Sequence, residues 1–388
     1  MKASKELKPD CTNGCKAGLL LKKFLLLTSL LMAFMLSGCR QEDSVSDLIA
    51  DGDSAYESND FAGAVQSYTE IINLEKGTDE IYNNRGMAYL NMGSYENAIS
   101  DFTEAIALNS ENDIYYNNRG LACYYSMDYE SSIEDFTKAI EIKANEANYY
   151  ANRGDAYNSL KLYEAAIEDY TKALSLNSRL VSVINNRAAA EFNLGLYEEA
   201  KADYTSAIEL DDSNPTLYWN RGESCRMLGQ TAEALADYRS YEALGGTATA
   251  DFYLKRAELS VTAGEYENAL SDYNEAVSLS PDTAMLYQGR ANVEFLMENY
   301  EAAIEDYNRY LESVEITDNQ AVAIGNRGYC YYMIGDYETA ISDLSECIEL
   351  SPKYAWAYYA RGTAYQAIGD LENAKLDFET ANSLIEES

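Results

Sequence analysis

The sequence of 388 residues contains no histidine. Histidine is the commonest general acid or base and the commonest metal ligand, so its absence removes the usual means of acid–base catalysis and metal binding. The sequence also has no nucleophile motif, no glycine-rich phosphate loop and no metal-ligand spacing. We therefore predict a protein that is not an enzyme, with no cofactor, no metal site and no small-molecule substrate.

Basic residues are scarce. The chain has 29 Lys and Arg against 65 Asp and Glu, which gives a formal net charge of −36. Such a surface repels nucleic-acid phosphates and anionic lipid head groups, so we predict no nucleic-acid partner. A solvated acidic exterior that keeps the protein soluble explains the charge most simply. A basic partner is also compatible with it.

Proline and cysteine are sparse as well. The four prolines favour a nearly all-helical chain, because proline interrupts helices. Seven cysteines are present, and none of those that follow Cys39 belongs to a CxxC pair. We predict that these four are buried free thiols: Cys123, Cys225, Cys330 and Cys347.

Long hydrophobic runs are also missing. The only candidate, residues 24–36, is shorter than the roughly 20 apolar residues of a transmembrane helix. It follows Lys22 and Lys23 and precedes the small residues Ser37 and Gly38, which is the pattern of a secretory signal.

The residues that end this signal, Leu36-Ser37-Gly38-Cys39, resemble the bacterial lipobox. The resemblance implies cleavage before Cys39 and lipidation of Cys39. We therefore expect a signal peptide with a long n-region at 1–38 and a lipidated cysteine with a short tether at 39–44. The protein would be held by lipid on the extracytoplasmic side of a bacterial membrane, in the cell envelope. A plain signal peptide or short anchor with a chance cysteine is the alternative.

The strongest positive feature is an arginine that recurs about every 34 residues, a period typical of a helical solenoid. It occurs at Arg85, Arg119, Arg153, Arg187, Arg221, Arg256, Arg290, Arg327 and Arg361. If this arginine is position 7 of the repeat, three-and-four apolar spacing predicts helix A at about positions 1–14 and helix B at about 15–28.

Small residues at positions 8 and 20, aromatics at 4 and 24 and Ala at 27 make this repeat resemble the tetratricopeptide repeat. Ten units fit: 45–78, 79–112, 113–146, 147–180, 181–214, 215–249, 250–283, 284–320, 321–354 and 355–388. The resemblance implies an all-α, right-handed superhelical α-solenoid over 45–388. It also implies a protein–protein interaction scaffold.

The chain departs from the family at position 7, where Leu is usual. Its recurring Arg is matched by an Asp sixteen residues later in nine units. We predict a ladder of Arg–Asp ion pairs within repeats that has a structural role. Its members include Arg85 with Asp101, Arg119 with Asp135, Arg153 with Asp169 and Arg361 with Asp377.

In the family, positions 2, 5, 9, 12 and 13 of helix A build the concave binding face. Here they offer Asn and aromatic side chains, and we predict a partner-binding groove that includes Asn83, Asn117, Tyr124, Asn185, Trp219, Tyr332, Trp356 and Tyr359. Asn can bind the backbone of an extended peptide, and aromatics dominate binding hot spots. The predicted partner is a neutral or basic protein or peptide of the cell envelope. The alternative is a carbohydrate or cell-wall ligand stacked on the same aromatics.

Overall fold

The computed structural model describes residues 44–314 and 316–386. Within these ranges the chain forms α-helices joined by short turns and contains no strand. No helix in this part is long and apolar enough to cross a membrane. The predicted signal peptide at 1–38 and the predicted lipidation site Cys39 lie outside the described residues.

The helices follow one another in pairs. They are α1 (44–57), α2 (Phe61–Asn73), α3 (Asp79–Asn91), α4 (Tyr95–Leu108), α5 (Asp113–Tyr125), α6 (Tyr129–Ile142), α7 (Ala147–Ser159), α8 (Tyr163–Leu176), α9 (Val181–Asn193), α10 (Tyr197–Leu210), α11 (Pro215–Met227), α12 (Thr231–Ala243), α13 (Ala250–Thr262), α14 (Tyr266–Leu279), α15 (Ala284–Leu296), α16 (Tyr300–Glu312), α17 (Ala321–Met333), α18 (Tyr337–Leu350), α19 (Ala355–Ala367) and α20 (Leu371–Glu386). The odd-numbered members are helices A and the even-numbered members are helices B. The predicted all-α architecture of consecutive helix pairs is confirmed.

The chain divides into two compact units. The first unit ends at Val183 and the second begins at Ile184. Within each unit, helix A of a repeat packs against its own helix B, which packs in turn on helix A of the next repeat. In such a solenoid each helical hairpin depends on its neighbours for burial.

Helix B begins two residues later than we predicted. In the second repeat, helix A ends at Asn91 and helix B begins at Tyr95. Gly93, at position 15, has a φ of 73°, the left-handed conformation that stops a helix. Position 16 then serves as the N-cap, as Asp128 does in the third repeat by accepting from the Ser131 N–H. The turn therefore occupies positions that we had assigned to helix B.

The connection between α16 of the eighth repeat and α17 of the ninth repeat is longer than the other connections between repeats. A 3₁₀ helix at Asp318–Gln320 precedes α17 there. Gln320 Nε2 donates to the Tyr310 hydroxyl at 3.2 Å, which ties this segment back to α16. The longer spacing before Arg327 thus reflects an extra helical turn between repeats.

The core relies on small residues at the crossing of helices A and B. A Cβ added to Gly120 would lie 2.7 Å from the Phe136 ring, so only glycine permits this approach without a shift. Ala98 and Phe102 of α4 are fully buried.

The cysteines predicted to be buried free thiols are so in the structure: Cys123, Cys225, Cys330 and Cys347. Burial raises the pKa of the Cys123 thiol to about 11 and that of Cys330 to about 12. These thiols are therefore protonated and unreactive at neutral pH.

Candidate functional site: the helix A face and its supporting network

The recurring arginines bind their aspartates within the same repeat. In the third repeat, Arg119 donates from Nε to Asp135 Oδ2 at 2.8 Å and from Nη2 to Oδ1 at 2.7 Å. The same two-pronged contact joins Arg85–Asp101, Arg153–Asp169, Arg187–Asp203, Arg221–Asp237, Arg256–Asp272, Arg290–Asp306, Arg327–Asp343 and Arg361–Asp377. The Asp side chains are only 5–14 % exposed.

A third arginine donor reaches the preceding repeat, which the sequence analysis missed. Arg85 Nη1 donates to Thr69 Oγ1 at 3.0 Å, and Arg153 Nη1 donates to Thr137 Oγ1 at 3.0 Å. In at least seven of the nine repeats with this arginine the acceptor is at position 25, and the other examples are Thr103, Thr205, Asn274, Asn308 and Ser345. In these seven repeats the guanidinium thus fastens helix A to its own helix B and to the helix B before it.

The sixth repeat has an arginine, Arg239, at the acceptor position. Arg239 cannot accept a hydrogen bond. Arg256 of the seventh repeat instead donates from Nη1 to Glu242 Oε2 at 2.5 Å. The inter-repeat contact is therefore kept by a carboxylate three residues further along α12.

The predicted groove asparagines form an amide network between repeats. In the first unit, Asn152 donates to Asn117 Oδ1 at 2.9 Å, and Asn118 donates to Asn83 Oδ1 at 2.9 Å. Asn117 donates in turn to Asn118 Oδ1 at 3.2 Å. In the second unit, Asn220 donates to Asn185 Oδ1 at 3.3 Å. Asn83, Asn117 and Asn185 therefore help to join adjacent repeats, and their amides keep further hydrogen-bonding capacity.

Trp219 and Tyr124, two of the predicted aromatic groove residues, pack against other aromatic rings. Trp219 packs in a cluster, with ring centroids 5.0 Å from Tyr238 and 5.9 Å from Phe252, and Lys255 Nζ lies 5.0 Å from its ring. Trp219 therefore packs partly within the protein and is half-buried. Tyr124 packs edge-on against Tyr129, with centroids 5.5 Å apart.

Four aromatic residues on the helices A of the last three repeats form a continuous row. We call this row the aromatic strip, and its members are Phe295, Tyr329, Tyr332 and Trp356. Tyr329 lies 5.8 Å from Phe295, 5.8 Å from Tyr332 and 5.6 Å from Trp356 between ring centroids. All four side chains are half-buried. The strip brings Tyr332 and Trp356, two predicted groove residues, onto one surface.

A glycine and a neighbouring tyrosine extend this surface. A Cβ at Gly325 would lie 3.0 Å from Cys347 Sγ, so glycine permits the close approach of Cys347, and it would lie 3.4 Å from the Trp356 ring, an ordinary van der Waals distance. Tyr359, also a predicted groove residue, is 58 % exposed and packs on Phe378 at 5.5 Å. Across the described ranges, no group of three or more Cys, Asp or Glu residues is arranged to hold a metal ion.

Models of one repeat family match most of the chain. Models described as tetratricopeptide repeat match residues 80–112 and 147–180, 185–249 and 254–321, and 114–146 and 357–388. A model described as TPR repeat matches residues 328–369.

Several solved structures are similar to this chain. The C-terminal part of a TPR repeat-containing protein from Cytophaga hutchinsonii is 16 % identical, with a TM-score of 0.54, and the match covers 61 % of this chain and 97 % of that one. A tetratricopeptide repeat protein from Parabacteroides merdae is 21 % identical, covering 65 % and 99 %, with a TM-score of 0.48. The Cytophaga structure shares the helical-repeat fold. None of the curated proteins matches the chain significantly.

Proposed function

Because the chain belongs to the tetratricopeptide repeat family, we propose that it is an extracytoplasmic lipoprotein scaffold that binds an envelope protein or an extended peptide. Proteins of this family bind peptides or proteins. The observation that carries the proposal is the aromatic strip, a half-exposed row of four rings on the helix A face of repeats eight to ten.

Aromatic rings suit this task, because they bury large apolar areas at a small cost in side-chain entropy. In the aromatic strip, Tyr329 is inclined by 55° to Phe295, 38° to Tyr332 and 48° to Trp356. The rings are therefore inclined to one another and do not form a set of parallel faces. Consecutive sugar rings need open, parallel faces, whereas the separate apolar side chains of a peptide do not. This favours a protein partner over the alternative of a glycan.

The first experiment is photo-crosslinking in intact cells. With the photoreactive amino acid p-benzoylphenylalanine in place of Tyr332, we expect crosslinks to one or a few discrete envelope proteins. Adding Trp356→Ala should lower the yield about ten-fold at subsaturating partner, since losing a hot-spot aromatic costs roughly 1–2 kcal/mol. The matched control carries the probe at Glu305, which is exposed on helix B of the eighth repeat, and should give no such product. Equal products at the two sites, or none at Tyr332, would contradict the proposal.

The membrane anchor is tested separately. We expect the full-length protein to incorporate an alkyne analogue of palmitate and to fractionate with membranes, because Leu36-Ser37-Gly38-Cys39 has the lipobox pattern. Cys39→Ala should abolish both. Cys123→Ala removes a buried thiol and should abolish neither. Labelling that persists in Cys39→Ala would sink the lipoprotein assignment.

A further inference from the structure

A cavity of about 250 Å³ opens between the first and second repeats, within the first unit. Its lining combines two carboxylates, two tyrosine rings, an amide and a thioether: Asp53, Glu57, Tyr56, Tyr68, Asn84 and Met87. A water molecule occupies about 30 Å³ of liquid, so the cavity has room for an extended side chain. Asp53, Tyr56 and Glu57 stand at positions 9, 12 and 13, so the cavity opens on the helix A face.

The two carboxylates of the cavity lie one turn apart on α1. Like charges at this spacing repel by about 0.2–0.5 kcal/mol in an isolated helix. The Tyr68 hydroxyl donates to Asp53 Oδ1 at 2.6 Å. Burial, together with Asp53, raises the pKa of Tyr68 well above its ordinary value. Tyr68 is therefore a neutral donor that orients Asp53.

The sixth repeat contains the same tyrosine–acid pair with cations added. Tyr238 there donates to Glu223, at the positions that Tyr68 and Asp53 occupy in the first repeat. Arg226 Nη2 lies 3.0 Å from Glu223 Oε2, and Lys255 Nζ lies 3.7 Å from the same atom. With these cations nearby, the pKa of Glu223 is below its ordinary value in spite of burial. In the sixth repeat, Glu223 is therefore paired with two basic side chains of the same chain, Arg226 and Lys255.

In the first repeat, neutral residues stand where those cations would be. Tyr56 corresponds to Arg226, and Asn84 of the second repeat corresponds to Lys255. Among the described residues, no Lys or Arg forms a salt bridge with Asp53 or Glu57. The cavity lies beside Asp53, and in the sixth repeat the corresponding acid, Glu223, has Arg226 and Lys255 beside it.

We propose that this cavity binds one lysine or arginine side chain of the partner. Asp53 and Glu57 would hold the charged group, the Tyr56 ring would offer a cation–π face, and Met87 would contact the aliphatic stem. The inference rests on the proposed scaffold function and adds to it a chemical requirement, a basic residue in the bound segment.

The test uses the Met87 methyl group as a reporter. Full-length protein with ¹³C-methyl methionine is titrated with N-acetyl-lysine methylamide, and the Met87 signal is assigned by its loss in Met87→Leu. We expect a saturable shift at Met87 and none at Met92, which is exposed on the same helix pair. The Nε-acetylated probe, which has no charge, should bind at least ten-fold more weakly.

Two variants examine the carboxylates and the missing cation. Asp53→Asn/Glu57→Gln should weaken binding of the lysine probe at least ten-fold. The matched control Glu96→Gln/Glu104→Gln, which removes two exposed charges from the same unit, should change it less than two-fold. Asn84→Lys copies the Lys255 arrangement and should abolish the probe-induced shift, and it provides a second test if the double variant does not fold.

Three results would overturn the cavity proposal: equal binding of the neutral probe, a lysine-induced shift at Met92 equal to that at Met87, or unchanged binding in Asn84→Lys. Because the aromatic strip lies in the other unit, the two proposals fail separately. Crosslinking at Tyr332 without a Met87 response would remove the cavity and leave the scaffold. A charge-selective Met87 response without crosslinking at Tyr332 would support the cavity as an amine site and remove the scaffold assignment.

Discussion

Asp135→Leu should destabilise the protein by about 3–5 kcal/mol, which is the usual cost of removing one partner of a buried ion pair. The variant leaves the Arg119 guanidinium half-buried without its carboxylate. The guanidinium group of arginine stays protonated in proteins, so Arg119 cannot escape the cost by losing its proton. Arg119→Leu leaves the Asp135 carboxylate unpaired and should lose a comparable amount.

The double variant Arg119→Leu/Asp135→Leu should lose much less than either single variant. Both charges are then gone, and two leucines of similar volume fill the space, which is often neutral or stabilising. Urea unfolding followed by far-UV circular dichroism gives the three free energies for a double-mutant cycle. Hydrogen exchange of α5 and α6 should locate the loss in the third repeat, because repeat proteins open locally.

The control for this cycle is Glu134→Leu, which removes an exposed charge from the same helix and should change stability by less than about 0.5 kcal/mol. Additive losses in the cycle would mean that Arg119 and Asp135 do not act as a pair, and the structural role of the ladder would be wrong.

The ladder illustrates what the sequence can reveal in a repeat protein. Nine aligned copies expose every position that recurs, so the Arg–Asp pairs could be predicted within their repeats. The acceptor position 25, which includes Thr69 and Thr137, carries a hydroxyl or amide side chain in eight of the ten units. These acceptors were missed because only opposite charges had been paired, and because a neutral hydroxyl on a helix has no single preferred partner. The predicted start of helix B was also two residues too early, because apolar periodicity does not show how many residues the turn between the helices occupies.

The candidate site could be predicted only in part. Family positions place Trp219 and Trp356 on helix A, yet the rings have different neighbours. Trp219 meets Tyr241 and Phe252, which come from the next helices, and is drawn into a cluster. Trp356 packs beside Tyr329 and Tyr354, and both tryptophans are half-buried. The neighbours of each ring come partly from adjacent repeats, and one repeat read alone does not contain that information.

Two glutamates occupy position 11, where the family has tyrosine, and we expect them to make the stability of the protein depend on pH. Glu191 is 8 % exposed, and its Oε2, like that of Glu294, has no hydrogen-bond partner among the described residues. Burial, and then the nearby Asp203, raises the pKa of Glu191 to about 7, against the lowering effect of Arg187. Burial and Asp306 raise that of Glu294 to about 7, against Arg290.

We therefore expect Glu191→Gln/Glu294→Gln to stabilise the protein at pH 8 but not at pH 4.5. Below the unfolded pKa of about 4.3, each glutamate is protonated in both states and adds no cost. Between that pH and about 7, the unfolded chain releases the proton that the folded chain holds, so folding loses stability as the pH rises. Above 7 the folded protein carries the buried charge and the cost is constant. At 1.36 kcal/mol per pKa unit, it is at most about 4 kcal/mol for each residue.

Urea unfolding at pH 4.5, 6 and 8 measures this difference between the variant and the parent, because the other carboxylates contribute equally to both. We expect the double glutamine variant to gain about 2–5 kcal/mol at pH 8, about half of that at pH 6, and close to nothing at pH 4.5. The exposed Glu96→Gln/Glu301→Gln pair should show no such trend. A gain that is the same at all three pH values would mean that the amides improve packing or hydrogen bonding, and that the two carboxylates are not protonated at neutral pH. A stability gain that increases from pH 4.5 to pH 8 would instead show that Glu191 and Glu294 hold two protons in the folded protein that the unfolded chain releases.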